Sequence, residues 1–200
     1  RSCLVGSEMC IRDRNNNEAE LCYRKAINIK SDFSLAYNNL GSLLSKQGNL
    51  IEAEKFTKKA IDLNPKFELA FVNLGTIKID LEKLEEAEEL FLNAIEINEN
   101  YNYAHTSLFR LYEKTNKISK LKNKLESLKD NKAIVNEILM FKARISFREK
   151  DFITAKKLID QVSNEWIKNT DHSTNLLYWS FRAFIEEKVK NYDEAFKCFE

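Results

Sequence analysis

Residues 34–67 read SLAYNNLGSLLSKQGNLIEAEKFTKKAIDLNPKF, and residues 68–101 read ELAFVNLGTIKIDLEKLEEAEELFLNAIEINENY. The second stretch repeats the pattern of the first, with a Leu-Gly pair and later an alanine at the same places. A fixed period of about 34 residues indicates stacked helical repeats, in which each repeat is one helix–turn–helix unit. The spacing extends beyond both stretches, to Ala19, Ala53, Ala87, Leu121 and Ala155.

The first half of the repeat has the pattern of an amphipathic helix. Tyr37, Leu40 and Leu44 recur at i, i+3 and i+7, which places them on one apolar face. Gly41 lies in the same face, although a glycine inside a helix costs about 1 kcal/mol. We expect that its missing Cβ lets the second helix approach closely, with the small residue Ala53 on the opposing helix.

Helix-ending residues separate the apolar stretches. Gly48 is suited to a left-handed helix end. Asn64 precedes Pro65, and the residue before a proline avoids the α region, so the second helix should end there. The chain has only four glycines and one proline, which leaves little room for strands and hairpins. We therefore predict an all-α fold.

Residues 34–101 resemble the tetratricopeptide repeat closely, and the resemblance covers nearly all of residues 15–200. It implies a right-handed α-solenoid, a superhelix of about five and a half repeats whose first helices line the concave face. We expect a half repeat at 15–33, full repeats at 34–67 and 68–101, a degenerate repeat at 102–135, a repeat with an insertion at 136–173 and a truncated repeat at 174–200.

The later repeats depart from the pattern. His105 takes the place of a core aromatic residue and Phe109 that of the small residue, so we interpret His105 as a packing residue. In the repeat at 136–173, we expect the second helix to begin near Phe152 and to run on through Trp166. An insertion of about six residues, rich in Asn, Thr and Ser, then precedes the last repeat.

The two ends of the sequence suggest a fragment. Residues 3–14, CLVGSEMCIRDR, resemble the translation of a transposon-type sequencing-library adaptor. We therefore expect residues 1–14 to be an unstructured artefact, and the chain to be part of a longer protein from metagenomic sequencing. The many Lys, Asn and Ile residues are typical of an AT-rich, bacterial genome.

Composition argues against several classes of function. The formal net charge is +1, which gives no overall attraction to nucleic acid or to an anionic membrane. No apolar run approaches the roughly 20 residues of a membrane span, so we expect a cytoplasmic protein, with a lost signal peptide left open. Cys22 and Cys198 have no CxxC partner, which predicts free thiols and no metal site.

Catalytic and nucleotide-binding patterns are missing from the sequence. It contains no GxxxxGK[ST] or GxGxxG loop, so we predict no cofactor. The lysines between Lys114 and Lys132 lack interleaved aromatic residues, which makes RNA or phosphate binding there the less favoured interpretation. Within residues 15–200, we predict no enzymatic activity.

Polar residues on the first helices are the candidates for binding a protein or peptide partner. Asn39 and Asn73 each precede a Leu-Gly pair, and an Asn amide offers an acceptor and two donors to an extended peptide backbone. In some tetratricopeptide arrays, asparagines at this place form a ladder that grips peptides. A carboxylate clamp for chaperone tails is disfavoured, because its lysine is absent. The candidate groove residues are Asn38, Asn39, Ser42, Val72, Asn73, Thr76, Ser107 and Tyr112.

Two functions remain open at this stage. The first is a scaffold that binds a peptide or helix of a partner protein in the concave groove. The second is the recognition array of an enzyme, because residues 141–162 and 177–200 are similar to degenerate repeats in bacterial tetratricopeptide-containing sulfotransferases. A glycosyltransferase is a less favoured variant of this second hypothesis.

Overall fold

A computed structural model describes residues 16–170 and 172–198, with only the backbone for His172, Ser173, Asp193 and Phe196. The predicted artefact at residues 1–14 lies outside these ranges, as does the end of the predicted truncated repeat at residues 199–200. Within them the chain is helical and contains no β-strand. The α-helices are α1 (Asn16–Ile29), α2 (Ser34–Lys46), α3 (Leu50–Leu63), α4 (Glu68–Asp80), α5 (Leu84–Ile97), α6 (Asn102–Lys114), α7 (Ile118–Ser127), α8 (Val135–Arg148), α9 (Phe152–Ile159), α10 (Asn164–Asn169), α11 (His172–Lys188) and α12 (Tyr192–Lys197).

The helices form two compact units, the first ending at Leu111 and the second beginning at Tyr112, within α6. In the first unit each helix packs against the next, from α1 to α5, and α2 also contacts α4. Helices that pair with their neighbours along the chain in this way are the arrangement of an α-solenoid. The prediction of an all-α solenoid is confirmed, whereas the right-handed superhelix and the proposed repeat boundaries stay predictions.

Two glycines permit the close helix crossings of the first unit. A Cβ built on Gly75 would lie 2.4 Å from the buried ring of Phe91 on α5. A Cβ on Gly41 would lie 2.1 Å from Thr57 Oγ1 and 3.1 Å from the carbonyl oxygen of Ala53, both on α3. These distances are below van der Waals contact, so the predicted role of Gly41 and its counterpart is confirmed.

Small residues on the second helices complete these crossings. Ala53 and Ala60 on α3, and Ala87 and Ala94 on α5, are all completely buried. Each pair is spaced by seven residues, so both members lie on the same side of their helix. The alanine stripe that set the sequence period is therefore the contact surface of the second helices.

Each first helix ends in a left-handed residue. Gly48 has φ +83°, as predicted, and the amide after it donates to the carbonyl of Leu44 over 2.9 Å. This bond, from the residue after the left-handed position to a carbonyl five residues earlier, caps the helix. The same geometry recurs without glycine at Glu82, Asn116, Lys150 and Lys190, with φ between 56° and 65°.

An ion cluster inside the first unit links three helices. Lys78 on α4 is only 2% exposed. Its Nζ lies 2.9 Å from Glu54 Oε1 on α3 and 2.5 Å from Glu86 Oε2 on α5. Burial alone would lower the pKa of Lys78, but the hydrogen bonds to Glu86 and Glu54 raise it. The hydrogen bond from Lys58, opposed by burial and supported by Lys78, lowers the pKa of Glu54 to about 2.

The second unit has its own core and corrects one prediction. Its buried residues come from α8, α9, α10 and α11 and from the turn after α9. The helix that begins at Phe152 ends at Ile159 and does not run on through Trp166. Ser163 accepts a hydrogen bond from the amide of Trp166 and starts a separate short helix, α10. The core contains Met140, Ala143, Ala155, Ile159, Val162, Ile167, Tyr178 and Ile185.

Candidate functional site

A stripe of side chains runs along the side of α2 that faces away from the core. Leu35, Asn39 and Ser42 lie at i, i+4 and i+7, so they share one face of the helix. Leu35 is 39% exposed, and Asn39 and Ser42 are half-buried. The buried residues Leu40 and Leu44 lie on the other side of α2. A ligand can therefore reach this stripe without disturbing the core.

The same stripe recurs on α4, exactly one repeat later. Leu69 and Asn73 are half-buried and Thr76 is exposed. Asn73 Nδ2 donates a hydrogen bond of 2.9 Å to Asn38 Oδ1, which joins α4 directly to α2. The two stripes therefore lie side by side and form one surface. We call Leu35, Asn39, Ser42, Leu69, Asn73 and Thr76 the amide face.

The amides of this face form a connected chain. Asn38 Nδ2 donates to Asn39 Oδ1 over 3.3 Å, while Asn38 Oδ1 accepts from Asn73. Tyr23 on α1 is only 6% exposed. The pKa of Tyr23 is raised by burial and by the neighbouring Cys22, against a lowering effect of Asn39. The two hydrogen bonds between the asparagines orient the half-buried amides of Asn39 and Asn73.

Two of the predicted groove residues lie beneath the face rather than on it. Asn38 is 1% exposed and Val72 is completely buried, so neither offers side-chain surface to a ligand. Asn38 directly precedes Asn39, and Val72 directly precedes Asn73. This one-residue step rotates both side chains around the helix axis, away from the exposed stripe. Asn38 acts instead as the link between the two amides, and the carbonyl of Val72 accepts a hydrogen bond of 3.0 Å from Thr76 Oγ1.

The remaining predicted residues, Ser107 and Tyr112, both lie on α6. Ser107 is half-buried on α6, in the same unit. Tyr112 is 6% exposed and belongs to the second unit, where Lys120 Nζ lies 5.7 Å from its ring centre. Sequence reasoning missed Leu35 and Leu69, although the 34-residue period and the i, i+4 spacing of Leu35 and Asn39 could have found them.

His105 behaves as the packing residue that the sequence predicts. Its side chain is completely buried, and its Nε2 lies 2.8 Å from the carbonyl oxygen of Glu99. Its ring centre is 5.9 Å from that of Phe109, the residue that replaces the small position. The ring of Phe109 therefore stands where earlier repeats have a glycine, and His105 packs against it from the aromatic position.

Two lysines of the second unit's basic stretch, Lys122 and Lys129, lie against carboxylates. Lys122 Nζ lies 2.5 Å from Glu149, and Glu126 lies within 4 Å of both Lys129 and Lys142. Lys122, Glu149, Glu126 and Lys142 line a shallow cleft. Since its charges balance, the cleft has no excess of cations for a phosphate.

The described ranges contain neither a metal-ligand cluster nor a membrane-spanning helix. No group of three or more His, Cys, Asp or Glu side chains there is placed to hold a metal ion. In residues 16–170 and 172–198, no helix combines the length and the apolar character needed to cross a bilayer. Cys22 and Cys198 are half-buried, and burial raises the pKa of Cys198.

Family comparison identifies the repeats. One tetratricopeptide repeat model matches residues 34–67, and a second matches residues 70–101. Residues 34–67 and 70–101 are therefore tetratricopeptide repeats. The amide face lies on the first helices of these two matched repeats. No curated protein matches this chain in sequence.

Solved structures share the fold of this chain. A chain of the APC/C hetero-tetramer Cut9-Hcn1 superposes with a TM-score of 0.73 and 14% identity, over 92% of this protein and 35% of that chain. PilF of Pseudomonas aeruginosa also gives 0.73, with 15% identity, over 98% and 87% of the two chains. The first tetratricopeptide repeat domain of Spaghetti (RPAP3), bound to the HSP90 peptide SRMEEVD, gives 0.53 with 22% identity, over 57% and 93%. This protein thus spans about a third of the matched APC/C chain.

Proposed function

We propose that the first unit is a protein-interaction module that binds an extended peptide segment of a partner protein along the amide face. The observation that carries this proposal is the chain of hydrogen bonds that links Asn39, Asn38 and Asn73. An amide that is already oriented loses less conformational freedom on binding, which favours affinity.

The chemistry of the face suits a peptide backbone. Asn39 and Asn73 each keep unused hydrogen-bonding capacity, because an amide has two donor hydrogens and two acceptor lone pairs. Leu35 and Leu69 form an apolar row beside them, where alternate side chains of the peptide could be buried. Backbone bonds would then give affinity with little sequence dependence, while the leucine row selects apolar residues.

A related fold supports the class of ligand. The Spaghetti (RPAP3) repeat domain, which shares this fold, has been solved with a bound peptide. Its low identity gives no information on which peptide this protein prefers. The partner therefore has to be identified by selecting peptides on the protein, and not by analogy with the Spaghetti (RPAP3) domain.

The test uses peptides selected on the protein itself. A random 12-residue library displayed on phage is selected against the full chain, and each synthetic ligand is measured by calorimetry. Asn39→Ala combined with Asn73→Ala should weaken binding at least tenfold, with helicity unchanged. Asn93→Ala combined with Asn123→Ala, at exposed positions on α5 and α7, is the matched control. Equal affinities of the two double variants would refute the proposal.

The enzyme hypothesis concerns residues beyond this chain. A sulfotransferase or glycosyltransferase domain following the repeats stays a prediction, and so does a cytoplasmic location. Sequencing the source DNA beyond the codon for Glu200 tests the first of these. A strand, a glycine-rich loop and a helix in that reading frame would support a sulfotransferase, in which case the amide face would serve substrate recruitment.

A further inference from the structure

Two junctions between packed helices of the second unit can be compared position by position. In one junction α7 packs against α8, and in the other α9 packs against α11. The left-handed residues fix the comparison. Asn116 before α7 and Lys150 before α9 are 34 residues apart, while Lys150 after α8 and Lys190 after α11 are 40 apart. Residues of α7 therefore correspond to residues of α9 at a separation of 34, and those of α8 correspond to those of α11 at a separation of 40.

A network of four charged side chains closes the junction between α9 and α11. Glu186 on α11 is completely buried and pairs with Lys156 on α9. Arg182 Nη2, also on α11, lies 2.7 Å from Asp160 Oδ1 and 3.9 Å from Glu186 Oε1. A glutamate is almost never fully buried unless it is paired. Here the Glu186 carboxylate lies between two cations, one from each helix.

The junction between α7 and α8 has three of these four charges. The residues at the positions of Lys156, Asp160 and Arg182 are Lys122, Glu126 and Lys142. Glu126 Oε2 lies 3.6 Å from Lys142 Nζ, which repeats the carboxylate–cation contact of the other junction. The fourth position, that of Glu186, is occupied by Ser146. A short hydroxyl side chain therefore stands where the other junction has a buried carboxylate.

A cleft of about 380 Å³ opens at this serine. The residues that line it include the polar Lys122, Lys142 and Ser146 and the apolar Leu125, Ile145 and Leu158. Leu125 and Ile145 are buried and Leu158 is half-buried, so the apolar side of the cleft is part of the packed unit. The cleft thus combines two ammonium groups and a hydroxyl with an apolar floor.

We propose that this cleft binds a small carboxylate that carries a short aliphatic tail. The carboxylate of the ligand takes the position that Glu186 has in the other junction. It accepts hydrogen bonds from the ammonium groups of Lys122 and Lys142 and from the hydroxyl of Ser146. The tail lies on the apolar floor, where burial of its surface favours binding. Ligand pockets usually have volumes of about 300–1,000 Å³, so a cleft of this size suits a small molecule.

Glu149 is the side chain that the ligand has to displace. Lys122 Nζ lies 2.5 Å from Glu149, but the two side chains are 49% and 54% exposed. An ion pair between exposed side chains contributes little to stability, so Lys122 can exchange Glu149 for the ligand. A phosphate is disfavoured, because Glu126 and Glu149 on the same cleft would repel its second negative charge.

The cleft is separate from the surface that the proposed peptide would use. On α8 the positions that correspond to the amide face are held by Glu137, Phe141 and Arg144, whereas Lys142 and Ser146 line the cleft. All the residues of the cleft belong to the second unit. Carboxylate binding can therefore be tested independently of peptide binding.

The probe is sodium hexanoate, and hexanamide, which has the same tail without the charge, is the matched control ligand. Amide NMR spectra of the full chain are recorded during titration with each compound at constant ionic strength. Hexanoate should shift the amides of α7 and α8 saturably and bind about tenfold more tightly than hexanamide, because only its charged group forms charge-assisted hydrogen bonds. Acetate, which lacks the tail, should also bind more weakly than hexanoate.

Three variants and a control locate the binding. Ser146→Glu supplies the carboxylate that the other junction has at this position, so it should abolish hexanoate binding. Lys122→Gln should weaken binding about tenfold, whereas Lys157→Gln, at an exposed position on α9, should not. Glu149→Gln should tighten binding about threefold, because it removes the competing exposed carboxylate. Circular dichroism confirms that each variant is folded, and Lys122→Gln, at an exposed position, replaces Ser146→Glu if the latter is not.

Several results would overturn the proposal. Equal affinities for hexanoate and hexanamide would show that the cleft does not recognise a carboxylate. Undiminished binding in folded Ser146→Glu, or equal affinities of Lys122→Gln and Lys157→Gln, would place the bound carboxylate elsewhere on the protein. If hexanoate causes no saturable shifts up to its solubility limit, the cleft holds only water. Asn39→Ala with Asn73→Ala should leave hexanoate binding unchanged, which separates this test from that of the amide face.

Discussion

At the scale of single residues, Gly75 shows how one missing carbon sets a helix crossing. The ring of Phe91 occupies the space that a Cβ would need. The ring is completely buried, so it cannot swing into solvent. A glycine in a helix is unfavourable by itself, and it is retained here because the crossing requires it.

Gly75→Ala is therefore expected to destabilise the protein although alanine is the better helix former. Overpacking costs about 1–3 kcal/mol, which should exceed the propensity gain of about 1 kcal/mol. Urea unfolding measures the change, and Lys46→Ala, at an exposed helical position, is the control. Phe91→Leu should reduce the penalty in a double-mutant cycle, because it removes ring atoms from the crossing. An unchanged or higher free energy of unfolding in Gly75→Ala would contradict this account.

The ionisation of the Glu54 carboxyl group makes the free energy of unfolding depend on pH. Its folded pKa of about 2 lies below the ordinary value of 4.5, so its contribution is complete above about pH 4.5 and is lost as the pH falls toward 2. Glu54→Gln should lower the free energy of unfolding by about 1–3 kcal/mol at pH 7, because Lys78 then keeps only one carboxylate partner. The difference from wild type should shrink as the pH approaches 2.

Thermal melts at pH 7, 4.5, 3 and 2 measure this dependence. Glu96→Gln, at an exposed position on α5, is the matched control and should follow the wild type at every pH. If Glu54→Gln differs from the wild type by the same amount at pH 7 and at pH 2, Glu54 does not titrate as the structure implies.

At the scale of helices, the recurring left-handed residue explains how first helices end. Four of the five observed positions carry a side chain, although a left-handed conformation costs an ordinary L-residue roughly 1–2 kcal/mol. The capping hydrogen bond is made by the backbone, so it forms whichever residue stands there. Of these five positions, only Gly48 could be predicted from the sequence to have the left-handed conformation.

Glu82→Gly should therefore stabilise the protein, by about 0.5–1 kcal/mol, because it removes the left-handed strain. Asn116→Gly should have a smaller effect, since asparagine tolerates this conformation better than glutamate does. Chemical denaturation of both variants checks the order. A lower stability of Glu82→Gly would mean that the flexibility added to the unfolded chain outweighs the relief of strain.

Local patterns explain which elements were predictable. The alanine stripe and Gly41 could be interpreted from the sequence because close helix crossings need small residues at fixed positions, and Gly48 could because glycine favours a left-handed helix end. The end of α9 at Ile159 could not be predicted from the sequence. The helix cap at Ser163 competes with a continued helix, and the hydrophobic periodicity does not show which of the two has the lower free energy. The burial of Asn38 depends on the position of α4, so only the folded structure shows it.

At the scale of the molecule, each unit has its own core. Leu44 belongs to the core of the first unit and Ile159 to that of the second. In repeat proteins stability is approximately a sum of repeat and nearest-neighbour terms. Damage to one core should therefore be felt mainly in its own unit.

Leu44→Ala should cost about 2–5 kcal/mol and should increase hydrogen exchange chiefly in α1 to α4. Ile159→Ala should increase it chiefly in α8 to α11. Exchange followed by mass spectrometry resolves the two patterns. A uniform increase over the whole chain in either variant would show that both units unfold as one cooperative body.

Binding chemistry was less predictable than fold for a related reason. The 34-residue period identifies the equivalent positions on every first helix. Which of these side chains a partner can reach depends on their exposure in the folded structure. Asn39 and Asn73 were identified because they repeat, whereas the cleft at Ser146 depends on how α7 and α8 pack in the folded second unit.

The backbone hydrogen bond that ends each first helix also has a consequence for how the gene can gain or lose repeats. The left-handed residues at 48, 82, 116 and 150 follow one another at intervals of 34, and the interval to 190 is longer by six residues. The extra residues fall between the start of α9 and the end of α11, outside the turn that joins a first helix to its second helix. Unequal recombination that removes or copies one 34-codon segment would therefore leave every such turn closed by the same bond. Copy number could vary between lineages while each surviving first helix keeps its own exposed residues.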